Sequence, residues 1–534
     1  MSEAPVADRP APVSERYAAL EERILDRDQI GASEVYYDLF REGRPLEEML
    51  LEAVRIHGPY THVPYHERID DGFVNFVNND HCLLSARATL NLVKLLPPEA
   101  AGLAMAQTIW YIPTGLDIWN QKILKAPGHY ARGGKLPAGP PPAPVVHWPD
   151  QEPEPLEGSL RERLGHWLTL VQRGNVLEAY RVFLGLMEEP GHRREVLAEL
   201  VFAGLIDVQD RMLHNRSYTT GHKSYRARST VELGDAIGWD RAHPVLYAGA
   251  LDMAVGPRWY STYEMACNAI TVYIEEDRIS AIPYAGTTER ERALMANSEP
   301  MSAKETSDLV HRLIREPEPA GTERIAELLR AGKRLSDLLD AIRIGAAQAV
   351  IETRNPNNFS MSQHCYQYAS THGWFMENFS HRHQVKLVFL AAAFLERTAH
   401  HQAHTGDMQP VEIEAPTGAD RLAPGAVLDR MEEAIVAVDI EASEAWTRAY
   451  LDSGADREPL IERLALAACR TGNDPHNQEI AQCMLEDCVR GRTADPERVL
   501  IACAHHTAGH RKYGDFLEAG RRYGAAFGIP ALSH

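Results

Sequence analysis

The sequence predicts an all-α protein of four diverged helical repeat units packed around a common centre. Three observations carry that expectation. Apolar residues recur at helical spacing along nearly all of the 534 residues, and alternating runs of Val, Ile and Thr are almost absent. Three stretches rich in Pro, Gly and polar residues break the helical pattern into four blocks. The blocks also resemble one another, which points to duplication.

The elements follow in order. Residues 1–15 read as a disordered leader, with neither the basic nor the apolar region of a secretory signal. Helical unit 1 spans 16–125 and contains ASEVYYDLF followed by RPLEEMLLEAVRI. A Pro-rich linker occupies 126–158. Unit 2, 159–275, contains VLEAYRVFL and then REVLAELVFAGL. A second linker, 276–321, precedes unit 3, 322–404, which shows its second helix as KRLSDLLDAIRIGAA. A third linker, 405–425, leads to unit 4 and the C-terminal tail, 426–534, with ASEAWTRAY and REPLIERLALAAC. Ala32, Ser33, Glu34, Tyr36 and Phe40 match Ala442, Ser443, Glu444, Trp446 and Tyr450, and unit 2 keeps Glu178, Tyr180 and Leu184. In each unit the second helix runs into an irregular polar stretch, then a histidine, then another amphipathic helix. Such a unit cannot bury both its faces alone, so packing several together supplies the missing core.

Composition narrows the function. With 55 Lys and Arg against 75 Asp and Glu, the net charge is −20. That field opposes nucleic acid and anionic membrane surfaces. No run of about 18 apolar residues is present to span a bilayer. The seven cysteines are scattered and form no C-x-x-C, so a reduced, cytoplasmic chain is expected. P-loop, dinucleotide-binding, H-E-x-x-H and G-x-S-x-G motifs are all missing from the sequence.

Four of the 24 histidines share a register: His81, His222, His364 and His476. Each follows a good helix N-cap, respectively Asn79 or Asp80, Thr219 or Thr220, Ser360 or Ser362, and Asp474. Pro475 suits a first helical position. Each imidazole is therefore expected in the first turn of its helix, where the helix dipole favours the neutral ring. Neutral imidazole is the form that ligates metal. Equivalent positions of four related units would converge, giving an all-imidazole site suited to iron, zinc, copper or nickel. Weaker groups are His400, His401 and His404, then His506 with His510, then His57, His62 and His66, and finally His381 with His383. These read as solvated helix ends or as groups that orient ligands.

Two segments carry a family resemblance. GHKSYRARSTVELGDAIGWDRAHPVLYAGALDMA and NDPHNQEIAQCMLEDC resemble parts of an uncharacterised bacterial all-helical family, sometimes fused to a Rieske-type ferredoxin domain. That family is distantly similar to questin-oxidase-like proteins, which perform oxygen-dependent ring-opening oxidations. The resemblance runs through most of the chain and includes His81, His222, His364 and His476. It implies redox chemistry. The chain departs from the pattern in having no Rieske C-x-H…C-x-x-H pair, and in placing Asn477 after His476 where an acidic residue is expected.

The expectation is then a metal-dependent oxidoreductase or oxygenase for a small organic substrate. Iron is the first choice of metal, with zinc, copper and non-covalent haem as alternatives. An external electron donor such as a ferredoxin would supply electrons. Tyr225, Trp239, His243, Tyr366 and Trp374 lie near the proposed ligands in sequence and are the candidates to line the pocket. The alternative is a helical-repeat scaffold for protein interaction, with a structural zinc or no metal.

Overall fold

Local sequence signals start the helices where the chain needs them. Ser159 with Glu162, and Ser302 with Glu305, form capping boxes in which hydroxyl and carboxylate satisfy amides of the first turn. Asp28 and Asp439 accept the amides of Gly31 and Ala442 in the corresponding helices of the first and last blocks. Gly174 closes the Leu160–Arg173 helix in the left-handed conformation at φ +75°.

The computed structural model describes residues 15–58, 81–116, 151–208, 221–254, 260–275, 289–354, 359–472, 475–509 and 515–532. Among them the fold is all-helical. There is no strand, and sheet-like pairing is confined to two isolated bridges, Glu299 with Lys333 and Thr353 with Met408. No described helix is long and apolar enough to cross a membrane.

Outer helices follow ordinary amphipathic logic. The Ala303–Arg315 helix buries Leu309, Val310, Leu313 and Ile314 and turns its charges outward. That helix lies within 276–321, the stretch whose sequence suggests a linker, as does Glu289–Met295. Its charged face outweighs the apolar stripe in composition, but the stripe and the capping box at Ser302 are enough to make helix. The stretch 405–425 is mostly irregular, with a short 3-10 turn at Ala419–Arg421.

Four helices are buried on nearly every side: His81–Leu92, His222–Ile237, Phe359–Asn378 and Pro475–Val489. The first packs on the second and the fourth, and the third packs on the same two, which closes a ring. Side-chain pairs fix their direction. The Asn91 amide donates to Glu232 at 2.9 Å, each ten residues beyond the histidine that opens its helix. Arg87 reaches the Cys483 sulfur at 3.6 Å, six and seven residues beyond theirs. Parallel neighbours need long crossovers. The helix pairs Val176–Met187 with Arg193–Ile206, Ala320–Arg330 with Leu335–Glu352, and Ile440–Asp452 with Glu458–Arg470 lie in those connections.

Candidate metal centre

The buried ends of the four central helices bring the four histidine rings together. His81 and His222 are the first residues of their helices, and His476 is the second, after Pro475. His364 is the sixth residue of Phe359–Asn378, so it stands in the second turn rather than the first. Ser360 and Ser362 lie inside that helix, not before it. The other N-cap candidates, Asn79, Asp80, Thr219, Thr220 and Asp474, lie outside the described residues, as do His62, His66 and His510. Gly221 precedes His222 at φ +88°, a conformation that favours glycine, and a Cβ there would fall 2.4 Å from the Tyr225 hydroxyl.

The rings are 1–3 % exposed. The His81 and His476 Nε2 atoms are 3.1 Å apart, and the His476 and His364 Nε2 atoms 3.2 Å apart. One nitrogen from each of His81, His222 and His476 lies within 4.8 Å of the other two. The His222 ring centroid is 4.8 Å from that of His364 and 5.2 Å from that of His81. Each Nε2 carries either one hydrogen or one lone pair, directed in the ring plane. The His476 Nε2 therefore cannot make good hydrogen bonds to two other Nε2 atoms at once. A cation accepting all the lone pairs resolves the conflict. Metal–nitrogen bonds of about 2.0–2.1 Å place ligand nitrogens about 3.3–3.4 Å apart in a tetrahedron and about 2.9 Å apart in a square. The observed 3.1 and 3.2 Å fall between these. The His81, His222 and His476 imidazoles could therefore hold a single metal ion, with the His364 Nε2 3.2 Å from that of His476.

Neighbouring groups hold the rings in place. The Tyr225 hydroxyl donates to the His364 carbonyl at 2.9 Å, and its ring lies 16° from parallel to the His364 imidazole. Burial drives the Tyr225 phenol well above its ordinary pKa, so it remains a donor. The His506 Nε2 donates to the His476 carbonyl at 2.9 Å. Lys223, next to His222, is buried against Asp207 and also donates to the Met253 carbonyl at 3.0 Å. This ties the start of the His222 helix to the end of Arg193–Ile206. Tyr111 lies 6.4 Å from the His81 ring. One turn below the rings the Gln367 amide donates to the fully buried Glu479 at 3.3 Å. Cys365, beside His364, has its thiol pushed up to about 12 by burial. The Cys82 thiol is raised for the same reason, so both stay protonated and are poor ligands.

Of the pocket candidates, only Tyr225 stands against the rings. Tyr366 turns its hydroxyl to Asp487 at 3.0 Å, eleven residues beyond His476 and about 16 Å along the axis. Trp374 is ten residues, or about 15 Å, beyond His364, and stacks edge-on with Phe379 under the Arg228 guanidinium. Trp239 lies past the far end of the His222 helix, bonded through Nε1 to Asp235 at 2.9 Å. His243 opens the His243–Ala250 helix, where burial lowers its pKa to about 4. Nearness in sequence misleads for Trp239 and Trp374 because each helix carries its later residues away from the histidine end, and for Tyr366 because its side chain points to Asp487. Lys223, Glu479 and His506 had a visible signal, being next to, one turn from, or in a histidine group beside the ligand segments. Tyr111 had none.

The remaining histidine groups lie elsewhere. His400 and His404 are exposed. His381 and His383 are buried against Phe202, with the His381 Nε2 3.2 Å from Glu199. Compared with models of known families, with characterised proteins and with solved structures, the chain finds no match.

Proposed function

We propose that His81, His222, His364 and His476 hold one redox-active metal ion, iron, and that the protein is an oxidoreductase or oxygenase for a small organic substrate. The observation that carries this is the His476 Nε2 lying 3.1 and 3.2 Å from two other Nε2 atoms in a buried core. No thiolate or carboxylate is needed in the donor set, and imidazole donors suit iron, copper and zinc alike. Iron is preferred because the resembling family is associated with ferredoxin domains and oxidases. A bare ion is favoured over haem, since nitrogens this close leave no space for a macrocycle between two axial rings. When bound, the metal would supply one-electron chemistry toward dioxygen or a similar oxidant. The chain's own part is to hold four neutral imidazoles in the first two turns of the central helices, exclude water, and keep Tyr225 protonated against the His364 carbonyl. Electrons would come from an external donor such as a ferredoxin.

The same reading takes the chain as four diverged copies of one unit. In its support, a pair of helices precedes each central helix: Gln29–Arg41 with Leu46–His57 before the first, and the three pairs named above before the others. The central helices also run parallel and bear their histidines at one end.

A second reading is a structural zinc in a helical scaffold. Rings only 1–3 % exposed favour it, because four nitrogen donors can close a tetrahedron with no position left for substrate. Metal analysis of protein purified from cells grown with iron and zinc decides between them. About one iron per chain, with a spectrum that changes on reduction, supports the redox centre. One zinc and no spectral response supports the scaffold, and a chain that folds without binding metal removes both.

A further inference from the structure

A cavity of about 250 Å³ lies away from the histidine rings, between the Ser261–Ala269 helix and the Gln384–His404 helix. Its walls are mostly apolar, with Met265, Ala269, Val272, Phe389 and Ala393 among them. Met265 and Val272 are 41 % and 63 % exposed, an unusual position for large apolar side chains, and they form a rim open to solvent. Small-molecule sites are commonly apolar clefts with a few placed polar groups, and this volume suits a ligand smaller than a typical drug.

One polar group stands out. Glu396 is 3 % exposed and faces the cavity. Its Oε1 accepts the Gly321 amide at 3.0 Å, and its Oε2 lies 3.5 Å from the Thr322 hydroxyl. Those contacts cap the Ala320–Arg330 helix, and among the described residues no cation forms an ion pair with Glu396. The Arg397 guanidinium, whose charge acts on Glu396 and lowers its pKa, pairs with Glu318 at 3.1 Å and reaches the Met265 sulfur on the cavity rim. Burial, and then the neighbouring Glu318 carboxylate, raise the Glu396 pKa to about 7. A buried carboxylate without an ion pair is costly, and the cost is relieved by a ligand that brings positive charge. The second acidic group on the wall, Glu318, already has its cation in Arg397, which leaves Glu396 as the acidic group for a ligand.

We infer that this cavity binds a small amine with an apolar tail, its ammonium hydrogen-bonded to Glu396 and its tail packed on Phe389, Ala393 and Met265. The site is independent of the metal centre and stands whether or not that proposal holds. The full-length protein is titrated by calorimetry with n-hexylamine and with 1-hexanol at about pH 8, where Glu396 is mostly ionised and the amine is still protonated. Hexylamine should bind about tenfold or more tighter than hexanol, as expected for a charge-assisted hydrogen bond. In E396Q, which keeps an oxygen to accept the Gly321 amide, the preference should disappear. In A393W, which fills the cavity, both probes should lose binding. Equal affinity for the two probes in the unmodified protein, no heat from hexylamine at about 10 mM, or undiminished binding to A393W would each overturn the assignment. The amine–alcohol comparison needs no variant, so the test survives a substitution that fails to fold.

Discussion

Among single residues, His476 has the most to lose. Its Nε2 stands between those of His81 and His364, at 3.1 and 3.2 Å, so its removal deprives both neighbours of a shared partner. H476A should lower bound metal from about one equivalent to under a tenth, read by metal analysis after desalting. H400A, at an exposed histidine, should leave it unchanged. Retention of metal by H476A would falsify the ligand assignment. Acid sensitivity is also set by individual histidines. His372 is fully buried, bonded through Nδ1 to the Tyr368 carbonyl at 2.9 Å, and its pKa is lowered to about 4, chiefly by desolvation. His243 is lowered to about 4 for the same reason. Because the unfolded imidazole titrates near 6.5, the unfolded chain binds more protons than the folded one between about pH 6.5 and 4. Stability therefore falls as pH drops through that window and is flat with respect to these groups above it. The loss is of order 3 kcal/mol for each ring once pH is below both values. Denaturant melts at a series of pH values should show it, and H372Q should have a shallower slope.

Among elements, what places the histidine cluster is how the helix starts are anchored. The His222 helix begins at a glycine that no side chain caps, and the adjoining Lys223–Asp207 pair ties it to the helix before. Both partners are 1–3 % exposed. Replacing one alone leaves a buried charge, so D207A should cost about 3–5 kcal/mol in chemical denaturation. The double replacement K223M with D207L should recover most of that loss, and equal destabilisation in single and double variants would argue against a buried ion pair. Metal affinity should fall roughly 10–100-fold in D207A even where the chain stays folded, as for other groups that orient a ligand.

At the scale of the whole molecule, one ion would join helices from four distant parts of the chain. Apart from their ring contacts, the central helices are joined by polar pairs such as Arg228 with Glu486 at 2.5 Å and the Asn91 amide with Glu232 at 2.9 Å. Chelation should then lower the melting temperature of the entire cooperative unit rather than of one region. At a free metal concentration of about 1,000 times the dissociation constant the linked stabilisation is roughly 4 kcal/mol. Differential scanning calorimetry with and without chelator tests this, and an unshifted transition would mean that the ion contributes nothing to folding.

Much of this was legible before any coordinates. Helical periodicity and the scarcity of strand-like runs determined the all-helical class, because that periodicity is a local property of the chain. The shared context of His81, His222, His364 and His476 singled them out from 24 histidines. Other features were not legible. The Ala303–Arg315 helix hid in a polar stretch because its apolar stripe is only four residues wide. The helix that carries His364 already includes Ser360 and Ser362, so neither serine caps it. Trp239, Tyr366 and Trp374 were grouped with the ligands by sequence distance, whereas a rise of about 1.5 Å per residue carries Trp239 and Trp374 away from the rings and Tyr366 turns its hydroxyl to Asp487. Sequence alone determined the all-helical class and singled out the four histidines, since both are written in short-range pattern. Tertiary structure alone decided that His476 stands within hydrogen-bonding distance of His81 and His364 with the His222 ring beside them, that Tyr111 and His506 lie next to this cluster, and that Glu396 faces an apolar cavity with no ion pair among the described residues. Those are relations between residues far apart in the chain, fixed by how parallel helices pack.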